Sequence, residues 1–100
     1  MRMGVVMSVI VDFSIFPLGK EESVSKYASR AIRVIKDSGL PYHIGPMGTS
    51  IEGEWDEVML VITHCMDELK KDCPRLYMTM KVDCRQGESG RMGKKVKKVE

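Results

Sequence analysis

Residues 5–16 read VVMSVIVDFSIF and run directly into Pro17-Leu18-Gly19. Val5, Met7, Val9, Val11, Phe13 and Ile15 hold the odd positions, while Ser8, Asp12 and Ser14 fall on even ones. This period of two predicts a β-strand with one face on a core, and the Pro-Leu-Gly turn predicts its end. Downstream the spacing changes. Val24, Tyr27, Ala28, Ala31, Ile32 and Ile35 recur three and four apart, which is one apolar stripe of a helix. Ser23 is its expected N-cap, with Glu21 and Glu22 at the positive end of the helix dipole, and Gly39 and Pro41 close it.

The two signals then repeat. Residues 41–53, PYHIGPMGTSIEG, are broken by Gly45-Pro46 and Gly48, which predicts a hairpin with strands near 41–45 and 48–53. Trp55, Val58, Met59, Ile62, Cys65, Met66 and Leu69 form a second helical stripe. Acidic Glu54, Asp56 and Glu57 open that helix, Lys70 and Lys71 close it, and Cys73-Pro74 ends it. Residues 75–85 alternate again, with Leu76, Met78, Met80, Val82 and Cys84 on one face and Tyr77, Thr79, Lys81, Asp83 and Arg85 on the other. The order β-α-β-β-α-β is the split pattern of an α+β, ferredoxin-like fold, in which two helices cover one face of a four-stranded antiparallel sheet. The 100 residues make one such domain, with a core over about 5–85 and a basic tail over 86–100. Met92, Val96 and Val99 sit at helical spacing in that tail and predict a short C-terminal helix.

Composition removes several function classes. The apolar and charged fractions, 43% and 30%, are those of a folded domain, and a net charge of +2 is too small to draw the whole domain to nucleic acid. Residues 1–85 carry 11 basic and 12 acidic groups and residues 86–100 carry 5 and 2, so the surplus belongs to the tail. The body is mildly acidic and better suited to a cationic ligand than to RNA. An RNA-binding sheet of this topology stacks bases on aromatics of its first and third strands, where the open-face positions here hold Ser14, Ser50 and Glu52, with Phe16 alone near the end. No stretch approaches the roughly 20 apolar residues of a membrane helix. Three cysteines without a C-x-x-C pair point to a reducing, cytoplasmic setting, and Cys65 and Cys84 are expected to fill the core. His64 and Cys65 are adjacent on a helix and diverge by about 100°, so a shared metal is not expected. No phosphate-binding loop, zinc-protease or nucleophile-elbow motif occurs, and no nucleophile–base pair can be placed.

The sheet face turned away from the helices is therefore the surface of interest. It is expected to carry Ser8, Asp12, Ser14, Ser50 and Glu52 beside the polar residues of the last strand, without intramolecular cover. Solvation is one reading of it; an oligomer interface or a polar ligand site is the other.

The blocks Ser14-Ile15-Phe16-Pro17-Leu18-Gly19, Tyr42, Met47-Gly48-Thr49, Ile51-Glu52-Gly53-Glu54-Trp55-Asp56-Glu57-Val58, Arg75-Leu76-Tyr77 and Lys81-Val82-Asp83-Cys84-Arg85 span nearly the whole chain. Together they resemble the thiamine-binding-protein-like family. The resemblance implies a ferredoxin-like fold and assembly into dimers or tetramers through the sheets. It further implies, from some members, that the small-molecule partner is thiamine or its hydroxymethylpyrimidine part, and it does not imply catalysis; no cofactor, metal or nucleic-acid partner is expected from the residues. The chemistry is compatible, because an aminopyrimidine engages carboxylates and hydroxyls while a thiazolium cation favours an acid or an aromatic face. Glu52 and Asp83 are the candidate polar partners, Ser14 and Thr49 the hydroxyl contacts, and Tyr42 the stacking surface. Each has a structural role open to it as well: Glu52 at a helix N-terminus, Thr49 in the hairpin, Asp83 paired with Arg85 or Lys81, Tyr42 in the core. The competing function is a structural or regulatory protein whose sheet face assembles without a small ligand. A chain this short is expected to need a second subunit as the far wall of any deep pocket.

Overall fold

A computed structural model describes residues 7–19, 24–87 and 90–93. The expected first-helix signals at Glu21, Glu22 and Ser23 and the tail residues Val96 and Val99 lie outside them. The chain runs β1 (Met7–Pro17), α1 (Val24–Ser38), β2 (Tyr42–Ile44), β3 (Thr49–Gly53), α2 (Trp55–Lys70) and β4 (Leu76–Gln86). The strands form one sheet in the order β2-β3-β1-β4, and every neighbouring pair is antiparallel. This is the ferredoxin-like α+β arrangement, and a helical turn at 91–93 begins the short C-terminal helix.

The alternation in β1 sets the layering. Val9, Val11, Phe13 and Ile15 are buried and pack with Ile51 of β3, Tyr27, Ala31 and Ile35 of α1, and Val58, Val61, Ile62, Cys65 and Leu69 of α2. Each large aliphatic side chain withdrawn from water in this way stabilises the fold by roughly 1.5–3 kcal/mol. Helix α1 stops at Gly39, whose φ of +78° suits a residue without a Cβ. The Ser38 hydroxyl donates back to the Ile35 carbonyl at 2.6 Å there. Helix α2 starts on a capping box in which the Glu54 N–H donates to Glu57 Oε1 at 3.1 Å. Arg30 joins the helices, donating to Asp72 Oδ1 at 2.9 Å and to the Glu68 carbonyl in the last turn of α2 at 2.7 Å. The hydrogen bond to Asp72 holds the Arg30 pKa above its ordinary value.

Four expectations change. Trp55 lies on the predicted stripe but is exposed, because it begins α2 beyond the edge of the core, and Val61 is buried instead. Cys84 shares the helix-facing side of β4 yet is exposed, as are Met80 and Val82, because β4 is an edge strand only lightly covered by the helices. The hairpin strands are shorter than expected, closing around Gly45–Gly48 where the Gly45 N–H donates to the Gly48 carbonyl at 2.8 Å. The sheet face opposite the helices does have intramolecular cover at one end, supplied by residues 90–93.

Candidate functional site

Register sorts the five candidate residues. Ile10 lies opposite Glu52 on one side and Asp83 on the other, so these three share a row on the face away from the helices. Ser14, paired with Thr79, lies two rows along the same face. Thr49 pairs with Phe13 and Ile44, and Tyr42 with Ile51, so both belong to the helix side. Tyr42 is 37% exposed there, at the edge of the core. The five residues therefore do not converge. Glu52 and Asp83 sit together on the open face and Thr49 at a cavity on the helix side, while Ser14 and Tyr42 join neither place.

The first place is the end of the open face around Glu52. This carboxylate is 1% exposed, a costly position for a charge unless it is hydrogen-bonded. Its partners are backbone amides: the Arg91 N–H donates to Oε2 at 2.7 Å and the Met92 N–H to Oε1 at 3.3 Å. Glu52 does stand at a helix N-terminus, that of the C-terminal turn rather than that of α2. The Arg91 guanidinium reaches across the sheet, with Nη2 donating to the Ser8 carbonyl at 3.1 Å and to Ser8 Oγ at 3.3 Å. Its Nε donates to the same hydroxyl at 3.4 Å, and Nη1 lies 3.4 Å from Asp83 Oδ2. Ser8 is consequently buried as well.

The second place is a cavity of about 440 Å³ between α1, the end of β1 and the hairpin tip. Phe13, Ile15, Ile35 and Ile44 give it apolar walls and Thr49 lines it, while Ser14 borders it only as part of the same stretch of β1, its side chain lying on the face away from the helices. Met47, 88% exposed, stands at its rim. Gly48 fits closely where the hairpin tip meets β1, since a Cβ there would lie 3.0 Å from the Phe13 carbonyl and 3.2 Å from Asp12 Oδ1. A larger groove, about 620 Å³, runs between the exposed sides of α1 and α2 over Val34, Leu40, Leu60 and Val61. Its rim carboxylates are in part engaged, Glu57 by the start of α2 and Glu68 by Arg30 and Lys71. That pairing, first with Lys71, lowers the Glu68 pKa.

A family model described as thiamine-binding protein matches residues 11–100. The chain belongs to the thiamine-binding protein family. UPF0045 protein Mb1933 of Mycobacterium bovis is 44% identical over 95 residues, covering 94% of this chain and 93% of the relative. The crystal structure of the hypothetical protein MJ1052 of Methanocaldococcus jannaschii, 34% identical, superposes with a TM-score of 0.82 over 92% of this chain and 95% of that one. A candidate thiamine biosynthesis/salvage protein from Thermotoga maritima, TM0486, is 25% identical with a TM-score of 0.78 over 93% and 99% of the two chains.

Within this family frame, two residues of the open-face cluster were not among the candidate site residues, although Ser8 was expected on this face. Ser8 carried a signal, since a serine in the middle of an apolar strand on the parity of Glu52 was visible. Arg91 carried none, because its position depends on how the chain returns after β4. Among the described residues no three His, Cys, Asp or Glu side chains converge to hold a metal ion. No described helix is long and apolar enough to cross a membrane.

Proposed function

We propose that the protein is a non-enzymatic, homo-oligomeric binder of thiamine or of its hydroxymethylpyrimidine part, working in the cytoplasm. The observation that carries this reading is the cavity lined by Thr49 in a chain of the thiamine-binding protein family. An apolar enclosure with a few directed polar groups is the usual form of a small-molecule site. A heteroaromatic ring packs between Phe13, Ile15 and Ile44, and the Thr49 hydroxyl orients its polar edge. A non-catalytic role is supported by the scatter of reactive groups. Exposed Cys84 lies on β4 and His43 on β2, the two opposite edges of the sheet, and His64 sits on the exposed side of α2.

Backbone amide shifts on addition of thiamine test both binding and place. The largest changes are expected at Ser14, Gly45, Gly48 and Thr49, and a spectrum unaltered at millimolar thiamine would refute the reading.

The second reading, an assembly protein without a small ligand, is favoured by β4. This strand is 11 residues long and exposes Tyr77, Met80 and Val82, the kind of edge that another chain covers. Both readings include self-association through the sheet, so sedimentation velocity bears on both. Val82→Lys is expected to reduce the sedimenting mass, and a wild-type monomer at micromolar concentration would contradict both.

A further inference from the structure

Each helix carries apolar side chains beyond the stripe that it turns to the sheet. The stripe of α1 runs through Tyr27, Ala31 and Ile35, and that of α2 through Val58, Ile62, Cys65 and Leu69. Val34 and Leu60 lie off those stripes, and Leu60 is 55% exposed. The helices run antiparallel. Arg30 in the middle of α1 reaches the Glu68 carbonyl near the end of α2, while Leu40 beyond α1 and Glu57 in the first turn of α2 both approach Gly53. The off-stripe side chains therefore face one another, and with Leu40 and Val61 they floor the groove of about 620 Å³ between the helices. Its rim is acidic at both ends, with Asp37 and Glu57 at one and Asp67 and Glu68 at the other, against Lys71 and His64. Lys71 is already paired with Glu68, and among the described residues no ion pair or hydrogen bond engages Asp37 or Asp67.

We propose that this groove docks a basic, amphipathic helix of a partner protein, with the apolar stripe of that helix on Val34 and Leu60 and its cations on the carboxylates at the two ends. Length and charge set that occupant. From Glu57 to Glu68 the α2 wall rises about 16 Å, at about 1.5 Å per residue, which is about three turns of a docked helix. A helix of that length lays its i, i+3, i+4 and i+7 side chains into an apolar groove and keeps its other faces in water. Lysines or arginines flanking the stripe meet the rim carboxylates, and the stripe itself covers Leu60, which the fold leaves in water. The same rim repels phosphate-rich surfaces, so neither nucleic acid nor an anionic membrane is the occupant. The cavity at Thr49 opens on another side of α1, among Ala28, Ala31 and Ile35, so the groove fills whether or not that cavity is occupied. The proposal goes beyond the thiamine reading and stands or falls separately from it.

The test uses the full-length protein and a fluorescein-labelled synthetic helix of three to four turns, with leucines at i, i+3, i+4 and i+7 and lysines on either side of them. One control peptide scrambles that order so that the leucines no longer align, and another carries glutamate for every lysine. Anisotropy should rise saturably with the designed peptide alone, and the affinity should fall with added salt, as pairing of exposed charges requires. Leu60→Ser is expected to weaken binding about tenfold and Asp37→Asn/Asp67→Asn about threefold to tenfold. All three positions are exposed, so both variants should melt within about 4 °C of the wild type. Amide shifts of the wild-type protein place the contact without any substitution, and the largest are expected at Val34, Leu60 and His64. Absence of saturable binding at submillimolar protein, equal binding of either control peptide, an affinity unchanged in Leu60→Ser, or shifts centred on β4 or on the cavity at Thr49 overturns the proposal.

Discussion

Replacing Glu52 with glutamine exchanges one carboxylate oxygen for an NH2 group and should release residues 91–92 from the sheet. The carboxylate accepts one backbone N–H on each oxygen, from Arg91 at 2.7 Å and from Met92 at 3.3 Å, and it is buried. A glutamine keeps one acceptor. If its oxygen faces Arg91, its amino group faces the Met92 N–H, donor against donor. The shorter bond then falls from a charge-assisted contact worth about 1.5–3 kcal/mol to a neutral one of about 0.5–1.5 kcal/mol. The longer bond is lost outright, with an amide left under-satisfied at a further cost of about 1–3 kcal/mol. The sum is roughly 2–4 kcal/mol against local order. Because residues 90–93 do not belong to the apolar core, most of that cost should appear as local opening rather than global unfolding. Hydrogen exchange reads this residue by residue. The Arg91 and Met92 amides should exchange about 30- to 1000-fold faster in Glu52→Gln, on the arithmetic of 1.4 kcal/mol per decade, while the Val11 and Ile51 amides stay protected. Unchanged protection at Arg91 and Met92 would refute the reasoning, since Glu52 would then not hold the segment.

The cysteines should separate by reactivity. Cys65 is fully buried and desolvation pushes its thiol up to about 11, whereas Cys84 is exposed. Iodoacetamide on the native protein at pH 8 should therefore label Cys84 and spare Cys65, as peptide mapping would show. Cys65 also makes stability pH-dependent. Its folded pKa lies above the unfolded value, so the contribution is complete below about pH 9 and declines as pH rises toward 11. Urea midpoints over that window should fall less steeply in Cys65→Ala. Gly48→Ala should destabilise by about 1–3 kcal/mol, because the new methyl meets the Phe13 carbonyl at 3.0 Å; a change below about 0.5 kcal/mol in chemical denaturation would contradict that contact.

The layering was legible because every odd position of β1 before Pro17 is apolar and α1 and α2 carry apolar stripes. Val9, Val11 and Phe13 could face only one way. The same periodicity misplaced Cys84 and Trp55. Parity says which side of a sheet a residue occupies, not whether a helix extends far enough to cover it, and an edge strand such as β4 is where the two differ. Of the candidate site, alternation placed Glu52 and Asp83 on one face, and the strand register then brings them to one row. Their partner was not foreseeable. Arg91 lies 39 residues beyond Glu52 and reaches it through a glycine-containing return that has no periodic signal. The cavity at Thr49 likewise comes from the packing of α1 against the hairpin tip, which no local pattern encodes.

Thiamine binding is the claim on which the functional account rests, and isothermal titration of the full-length protein measures it most directly. The account predicts a saturable heat with thiamine or hydroxymethylpyrimidine, weakened at least tenfold in Thr49→Val, a change that removes the hydroxyl from the cavity. No heat at millimolar ligand from correctly folded protein, or an affinity indifferent to the loss of that hydroxyl, would contradict it.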